Sequence, residues 1–169
     1  IYVLMGDGEQ VKGQVAEARR LARHHDLSNI TVLVDLNNIQ ISGKTETIMK
    51  ADVRRLWEAD GWEVTDVDGH DSSGLYCALK KASLSKIPQV LLCHTLMGKG
   101  VSFMEGLPDY HGKALNDEEY VAAIKELGGD PAMIEKYRKL RKKLPVPSGR
   151  LSVPPLETSL ESGKPREYK

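Results

Sequence analysis

Apolar positions along this chain follow two rhythms. Short continuous apolar runs, rich in β-branched residues, occur at Ile1 to Met5 and at Ile30 to Val34 ("ITVLV"), the first closed by Gly6 and the second by "DLNN". Runs of this kind predict strands buried on both faces. Between them, in "GQVAEARRLARHHDLSN", Val15, Ala18, Leu21 and Ala22 recur at helical intervals and leave Arg19, Arg20 and Arg23 for the solvent side. A strand, a helix and a strand in that order make a β-α-β unit.

The rhythm repeats. "ADVRRLWEADG" is helical, with Val53, Leu56 and Trp57 inward and Gly61 as a stop; "WEVTDVD" is a strand, "SGLYCALKKASLS" a helix and "PQVLLCHT" a fourth strand. Alternation of this kind predicts an α/β fold, a parallel sheet flanked by helices on both faces. A Gly-rich loop, "MGKGVSFMEG", and the segment "LPDYHGKALNDEEY" follow. Asn116 with Glu119 three residues on predicts a capped helix start, and Gly128 its end. Asp130 and Pro131 open another helix, which Pro145 stops. The segment from Pro145 to Lys169 holds five prolines and little apolar content, so it reads as a linker or arm, and residues 1–144 as one domain.

Charge narrows the function. Lys plus Arg equals Asp plus Glu, 24 each, so no net field favours nucleic acid or an anionic membrane. The basic run "KYRKLRKK" fits an amphipathic helix, because Met133, Tyr137, Leu140 and Leu144 share one face. Cys77 and Cys93 lack metal-ligand spacing and read as free thiols of a cytoplasmic protein. No apolar stretch reaches the roughly 18 residues of a membrane span. The chain starts inside a strand, at Ile1, which points to a piece of a longer chain.

The chemistry concentrates in "GDG" at 6 to 8 and "NN" at 37 and 38. Two parallel strands joined by a right-handed crossover end at the same sheet edge, so the residues after each face one another. Asp7 offers an anionic oxygen and Asn37 an amide oxygen, a partial shell suited to Mg²⁺ or Ca²⁺ with positions left for phosphate oxygens. Gly8 removes the β-carbon that would block a diphosphate, and the following helix points its N-terminal end toward the same edge. Gly-Asp-Gly is also ordinary turn chemistry. Taken alone it is more often a turn than a ligand site, and what shifts the balance is its pairing with "NN" thirty residues on, one β-α-β unit away.

That pairing resembles the thiamine diphosphate signature, and "DVDGHD", "TLMGKGVSFMEG" and "YHGKALNDEEY" resemble the corresponding stretches of transketolases in the same order. The resemblance covers Ile1 to about Leu144 and implies the thiamine diphosphate-binding fold of the diphosphate-side domain. It implies a divalent cation on Asp7, Asn37 and the Ile39 carbonyl, with Gly6 and Gly8 shaping the cofactor site. It implies His111 near the reacting carbon as a proton or hydrogen-bond donor, and Lys113 on the phosphate side. The implied activity moves a two-carbon ketol unit from a ketose phosphate to an aldose phosphate. Glu17 matches an acidic residue near the subunit interface of relatives.

Departures are visible too. Lys12 stands where many transketolases carry glutamate, Met97 where lysine is common, and Tyr110 where tryptophan often precedes the histidine. The pyrimidine-binding domain, which in the family supplies the glutamate that activates the cofactor, has no counterpart in these 169 residues. The resemblance therefore implies a truncated subunit or half of a split enzyme, inactive without a pyrimidine-binding partner, and an oligomer. Competing readings are a dinucleotide-binding domain, for which G-x-G-x-x-G fails at Val11, a non-catalytic scaffold of the same fold, and another thiamine enzyme such as a deoxyxylulose phosphate or dihydroxyacetone synthase.

Overall fold

The computed structural model describes residues 1–143. The chain divides into two compact units, Ile1–Gly129 and Asp130–Lys169. The proline-rich segment 145–169, and Leu144 with it, lies outside the described residues.

The first unit is built on four parallel strands, β1 (Tyr2–Gly6), β2 (Thr31–Leu36), β5 (Glu63–Asp68) and β6 (Gln89–His94), which lie in the order β1-β2-β6-β5. Helices α1 (Gly13–His24), α3 (Val53–Ala59), α4 (Ser72–Ala82) and α5 (Asp117–Glu126) connect and flank them, as the alternating pattern predicts. A hairpin of β3 (Ile39–Gln40) and β4 (Gly43–Lys44), followed by the single turn α2 (Thr45–Ile48), has no counterpart in the sequence reading. Strands of two residues carry too little periodicity to be read from sequence.

Of the two inner strands the more buried is β6, whose residues Gln89 to Cys93 are all buried. Its neighbours share the load: Val32 and Val34 of β2 and Val90 and Leu92 of β6 pack with Ala22, Trp57 and Trp62 into one core. The two indoles meet edge to face, centroids 4.7 Å apart. Burying an indole removes on the order of 200 Å² from water, about 5 kcal/mol as an upper bound, so this face anchors the domain.

Predicted exposures are corrected on β1, α1 and α3. β1 is an edge strand: Tyr2 and Leu4 are 64% and 76% exposed, and only Val3 and Met5 face α1. A continuous apolar run specifies a strand with two apolar faces but not what covers them. Arg19 is buried, whereas Leu21 is exposed. The Arg19 Nε donates to Asp60 Oδ2 at 2.8 Å, its guanidinium lies over the Trp57 ring, and its carbonyl accepts from Trp62 Nε1. Its long stem and planar head fill a slot that needs a charge partner from the next helix, which periodicity within α1 cannot reveal. Leu56 is likewise exposed, because the seven-residue α3 turns Val53 and Trp57 inward, four residues apart.

In the second unit α6 (Met133–Lys143) begins after Asp130, whose side chain accepts from the Ala132 N–H at 2.9 Å. No helix among the described residues is long and apolar enough to cross a membrane.

Candidate functional site

Register brings the two glycine- and asparagine-bearing turns together. Gly6 pairs with Asp35, and Asp35 with Cys93, so the chain leaves β1 and β2 side by side at the C-terminal edge of the sheet. Past Gly6, residues Asp7–Glu9 form one 3₁₀ turn. Glu9 Oε2 accepts from the Gly6 N–H at 2.9 Å, and Gln10 Nε2 donates to the Gly6 carbonyl at 3.0 Å. Gln10 is itself buried and accepts from Trp57 Nε1 at 2.9 Å. The loop therefore hangs from the aromatic core.

The turn after β2 is equally determined. Asn37 Oδ1 accepts from the Ile39 N–H at 2.8 Å, while Nδ2 donates to Asp35 Oδ2 at 3.0 Å. Asn38 takes a left-handed conformation, φ 61°, which asparagine tolerates, and its carbonyl accepts from the Thr45 N–H. This kink sends the β3–β4 hairpin across the Gly-Asp-Gly turn. A Cβ on Gly8 would meet the Gln40 side chain, at 2.7 Å from Oε1 and 3.2 Å from Cβ, so a larger residue there has to displace Gln40 from under the hairpin.

One cavity of about 370 Å³ opens at this edge, and Gly6, Asp7, Gly8, Asn37, Ile39 and His111 all line it. Lys113 does not. It lines an adjoining cavity of about 570 Å³, which His111 also borders. Asp7 is 7% exposed, and its Oδ2 has no hydrogen-bond partner. Burial pushes its carboxyl above the ordinary carboxylate range, backbone N–H groups of Asn38 and Gly8 pull it back, and the charge of Asp35 adds to the rise. A buried carboxylate with an unsatisfied oxygen is half of an interaction. Among the described residues no three His, Cys, Asp or Glu cluster as metal ligands. A cation here would rest on carboxylate, amide and carbonyl oxygens, a hard donor set that fits Mg²⁺ or Ca²⁺.

His111 comes from a different quarter. It follows the 3₁₀ turn Pro108–Tyr110 and is exposed. Its loop is tied to α5 by Lys113 Nζ, 2.7 Å from Glu119 Oε1 and 4.6 Å from the Tyr110 ring centroid. The Tyr110 hydroxyl donates to the same Glu119 oxygen at 3.2 Å. Glu119 also closes the predicted capping box with Asn116. Lys113 thus has a carboxylate partner already: Glu119 holds its ammonium above the usual range, and Lys113 holds the Glu119 carboxyl below it.

The other matched stretches brace the edge. In "DVDGHD", Asp68 accepts from the His70 N–H, Asp71 caps α4, and His70 Nε2 accepts from the Leu96 N–H at 2.8 Å. Gly69 leaves room for Thr95, whose methyl a Cβ would meet at 2.4 Å. Met97 closes its own loop through a carbonyl that accepts from Gly106, and Glu17 is an exposed residue of α1. Sequence reasoning missed Asp35, Lys12 and Gln40 as cavity-lining residues and Gln10 as the loop's tether. Asp35 carried a signal, a carboxylate ending a buried strand two residues before Asn37. Gln10 carried none.

The sequence matches the family described as "Transketolase, thiamine diphosphate binding domain" over residues 1–139. It is 36% identical over 143 residues to one of the subunits of the apulose-4-phosphate transketolase of Phocaeicola vulgatus, covering 83% of this chain and 49% of that protein. It is 36% identical over 129 residues to the 6-deoxy-6-sulfo-D-fructose transketolase subunit SqwG of a Clostridium species, 75% of this chain and 47% of that one. The chain spans about half the length of these curated relatives. Among solved structures, transketolase from Campylobacter jejuni superposes with a TM-score of 0.74 at 35% identity, over 83% of this chain and 23% of the other.

Proposed function

Since this chain belongs to the transketolase family through its thiamine diphosphate-binding domain, we propose that it supplies the diphosphate side of a transketolase active site, completed by a pyrimidine-binding partner. The observation that carries the reading is the convergence of Asp7, Asn37, Ile39 and His111 on one cavity, with Asp7 Oδ2 buried and unpartnered.

On this reading Asp7, Asn37 Oδ1 and the Ile39 carbonyl would hold Mg²⁺, or Ca²⁺ in its place, and the cation would supply positive charge for the cofactor's diphosphate. Gly6 and Gly8 keep the approach free of side chains. Bound thiamine diphosphate supplies the carbanion chemistry that moves a two-carbon ketol unit between sugar phosphates. His111, on the cavity wall but exposed, donates a hydrogen bond or proton toward the reacting sugar. Lys113 holds the loop that carries His111 and faces the adjoining cavity, where it meets phosphate if its bond to Glu119 opens.

The partner has support on two counts. The named relatives are subunits, and Ile41, an apolar residue on the cavity wall, is 83% exposed. The two free cysteines, Cys77 and Cys93, fit a cytoplasmic setting.

Calorimetric titration of the chain with thiamine diphosphate tests this, with and without Mg²⁺, on wild type and Asp7→Ala, both alone and together with a pyrimidine-binding partner. We expect Mg²⁺-dependent binding that Asp7→Ala abolishes and that the partner strengthens. Absence of binding in every combination would leave a non-catalytic scaffold of the same fold.

A further inference from the structure

We infer that Asp35 is a positioning residue that sets the amide orientation of Asn37, and so decides whether that side chain offers the cation an oxygen or an NH₂ group. The inference rests on the reading of the cavity as a cation and diphosphate site.

An amide side chain is nearly symmetric in shape, and only its neighbours choose which end points where. Here the neighbours are of opposite kinds. Asp35 Oδ2 can only accept, and it lies 3.0 Å from Asn37 Nδ2; the Ile39 N–H can only donate, and it lies 2.8 Å from Oδ1. Turning the amide over would set oxygen against carboxylate and NH₂ against N–H, losing both bonds and creating two repulsions. The observed orientation leaves Oδ1 with a second lone pair for the cavity that Asn37 lines. Asp35 is fixed in turn: its other oxygen accepts a hydrogen bond from the hydroxyl of Thr95, just past β6, and β2 holds its backbone between Gly6 and Cys93. The route is thus β6 to Thr95 to Asp35 to Asn37. Groups that orient a ligand in this way commonly change metal affinity by about 10- to 100-fold when removed.

Asp35 also lines the cavity, so direct action of its charge on the cation is the competing role. Two substitutions separate the roles. Asp35→Asn keeps an acceptor for Asn37 Nδ2 and can donate to the Thr95 oxygen, preserving orientation without charge. Asp35→Leu removes acceptor and charge together.

The test is Mn²⁺ titration followed by electron spin resonance, in the presence of thiamine diphosphate, on the full chain with Asp7→Ala as control. It is paired with NMR of the Asn37 side-chain NH₂ in the metal-free protein. We expect Asp35→Leu to weaken Mn²⁺ by about 10- to 100-fold and to lose the slow exchange of the Asn37 NH₂. Asp35→Asn should retain slow exchange and stay within about threefold of wild-type affinity. Loss in Asp35→Asn equal to that in Asp35→Leu overturns the positioning role in favour of direct charge. Wild-type-like behaviour of Asp35→Leu in both measurements also overturns it, while the cation site stands. If wild type binds no Mn²⁺, with or without a pyrimidine-binding partner, the reading of the site fails, and the inference falls with it.

Discussion

Two carboxylates of this domain sit in similar depths of protein and meet opposite fates. Asp60, at the end of α3, faces the buried Arg19 at 2.8 Å and the exposed Arg20 at 3.3 Å. Asp7, at the end of β1, is 7% exposed and has an oxygen with no partner. The first is a paired carboxylate with both of its oxygens engaged, although Nη1 of its buried partner Arg19 is left without a hydrogen bond. The second is left open at a cavity, in a loop that Gln10, Glu9 and Trp57 hold still. A chain that positions a loop so firmly around an unsatisfied charge gives up stability to keep that charge, and such a sacrifice marks a site.

Breaking the Asp60 pair should have the largest effect. Asp60→Ala leaves the Arg19 guanidinium, 3% exposed, without its counter-charge. Removing one partner of a buried pair costs about 3–5 kcal/mol, read as a lowered midpoint in urea. Arg19→Met removes the buried charge itself and keeps the packing against Trp57, so it should cost far less and lie near neutrality. If both substitutions cost the same, the slot depends on packing and the contrast with Asp7 collapses.

The open carboxylate should respond with the opposite sign. Asp7→Asn removes a burdened charge and should stabilise the metal-free protein by about 0.5–2 kcal/mol at neutral pH while abolishing Mg²⁺-dependent cofactor binding. The pH dependence follows from the direction of its shift. The folded-state pKa is raised, so the acid form is favoured on folding, and the penalty is absent below the unfolded value. The penalty grows as pH rises from that value through the raised folded one, where it is complete. The gain from Asp7→Asn should therefore vanish in acid and reach a plateau toward neutrality. Saturating Mg²⁺ with thiamine diphosphate should reverse the order and make wild type the more stable protein. A pH-independent difference between the two would detach it from Asp7 ionisation.

The same contrast explains what the sequence can disclose. The four strands and the helices of the sheet are legible because burial imposes a period, and the convergence of Asp7 with Asn37 follows from topology once two parallel strands are adjacent. His111 is legible only through resemblance, since an exposed loop histidine has no period to betray it. Arg19 reads as solvated because its partner is 41 residues away in sequence. Gln10 is invisible for the same reason, its partner Trp57 being 47 residues distant. The tight passage of Gly8 beneath Gln40 depends on the kink at Asn38, a backbone choice that no hydrophobic pattern records.

The smallest effect belongs to the second half of the site. The His111 loop hangs on exposed contacts, the Lys113–Glu119 pair and the Lys113 ammonium over Tyr110. Exposed ion pairs contribute little to global stability because water and salt screen them. Lys113→Ala should thus leave the urea midpoint unchanged, yet speed amide exchange locally across residues 110–115, where opening no longer has to break that clasp. Lys113→Arg, which can keep both the carboxylate and the ring contact, should restore the slower exchange. If Lys113→Ala leaves local exchange unchanged, the loop is held by its 3₁₀ turn and the Phe103–Tyr110 contact instead. If it lowers the midpoint as far as Asp60→Ala does, the loop is part of the core. Between these outcomes lies the arrangement that the proposed function calls for: a firmly held end at Asp7 and Asn37, where the proposed cation would bind, and a looser histidine end that the proposed partner would settle into place.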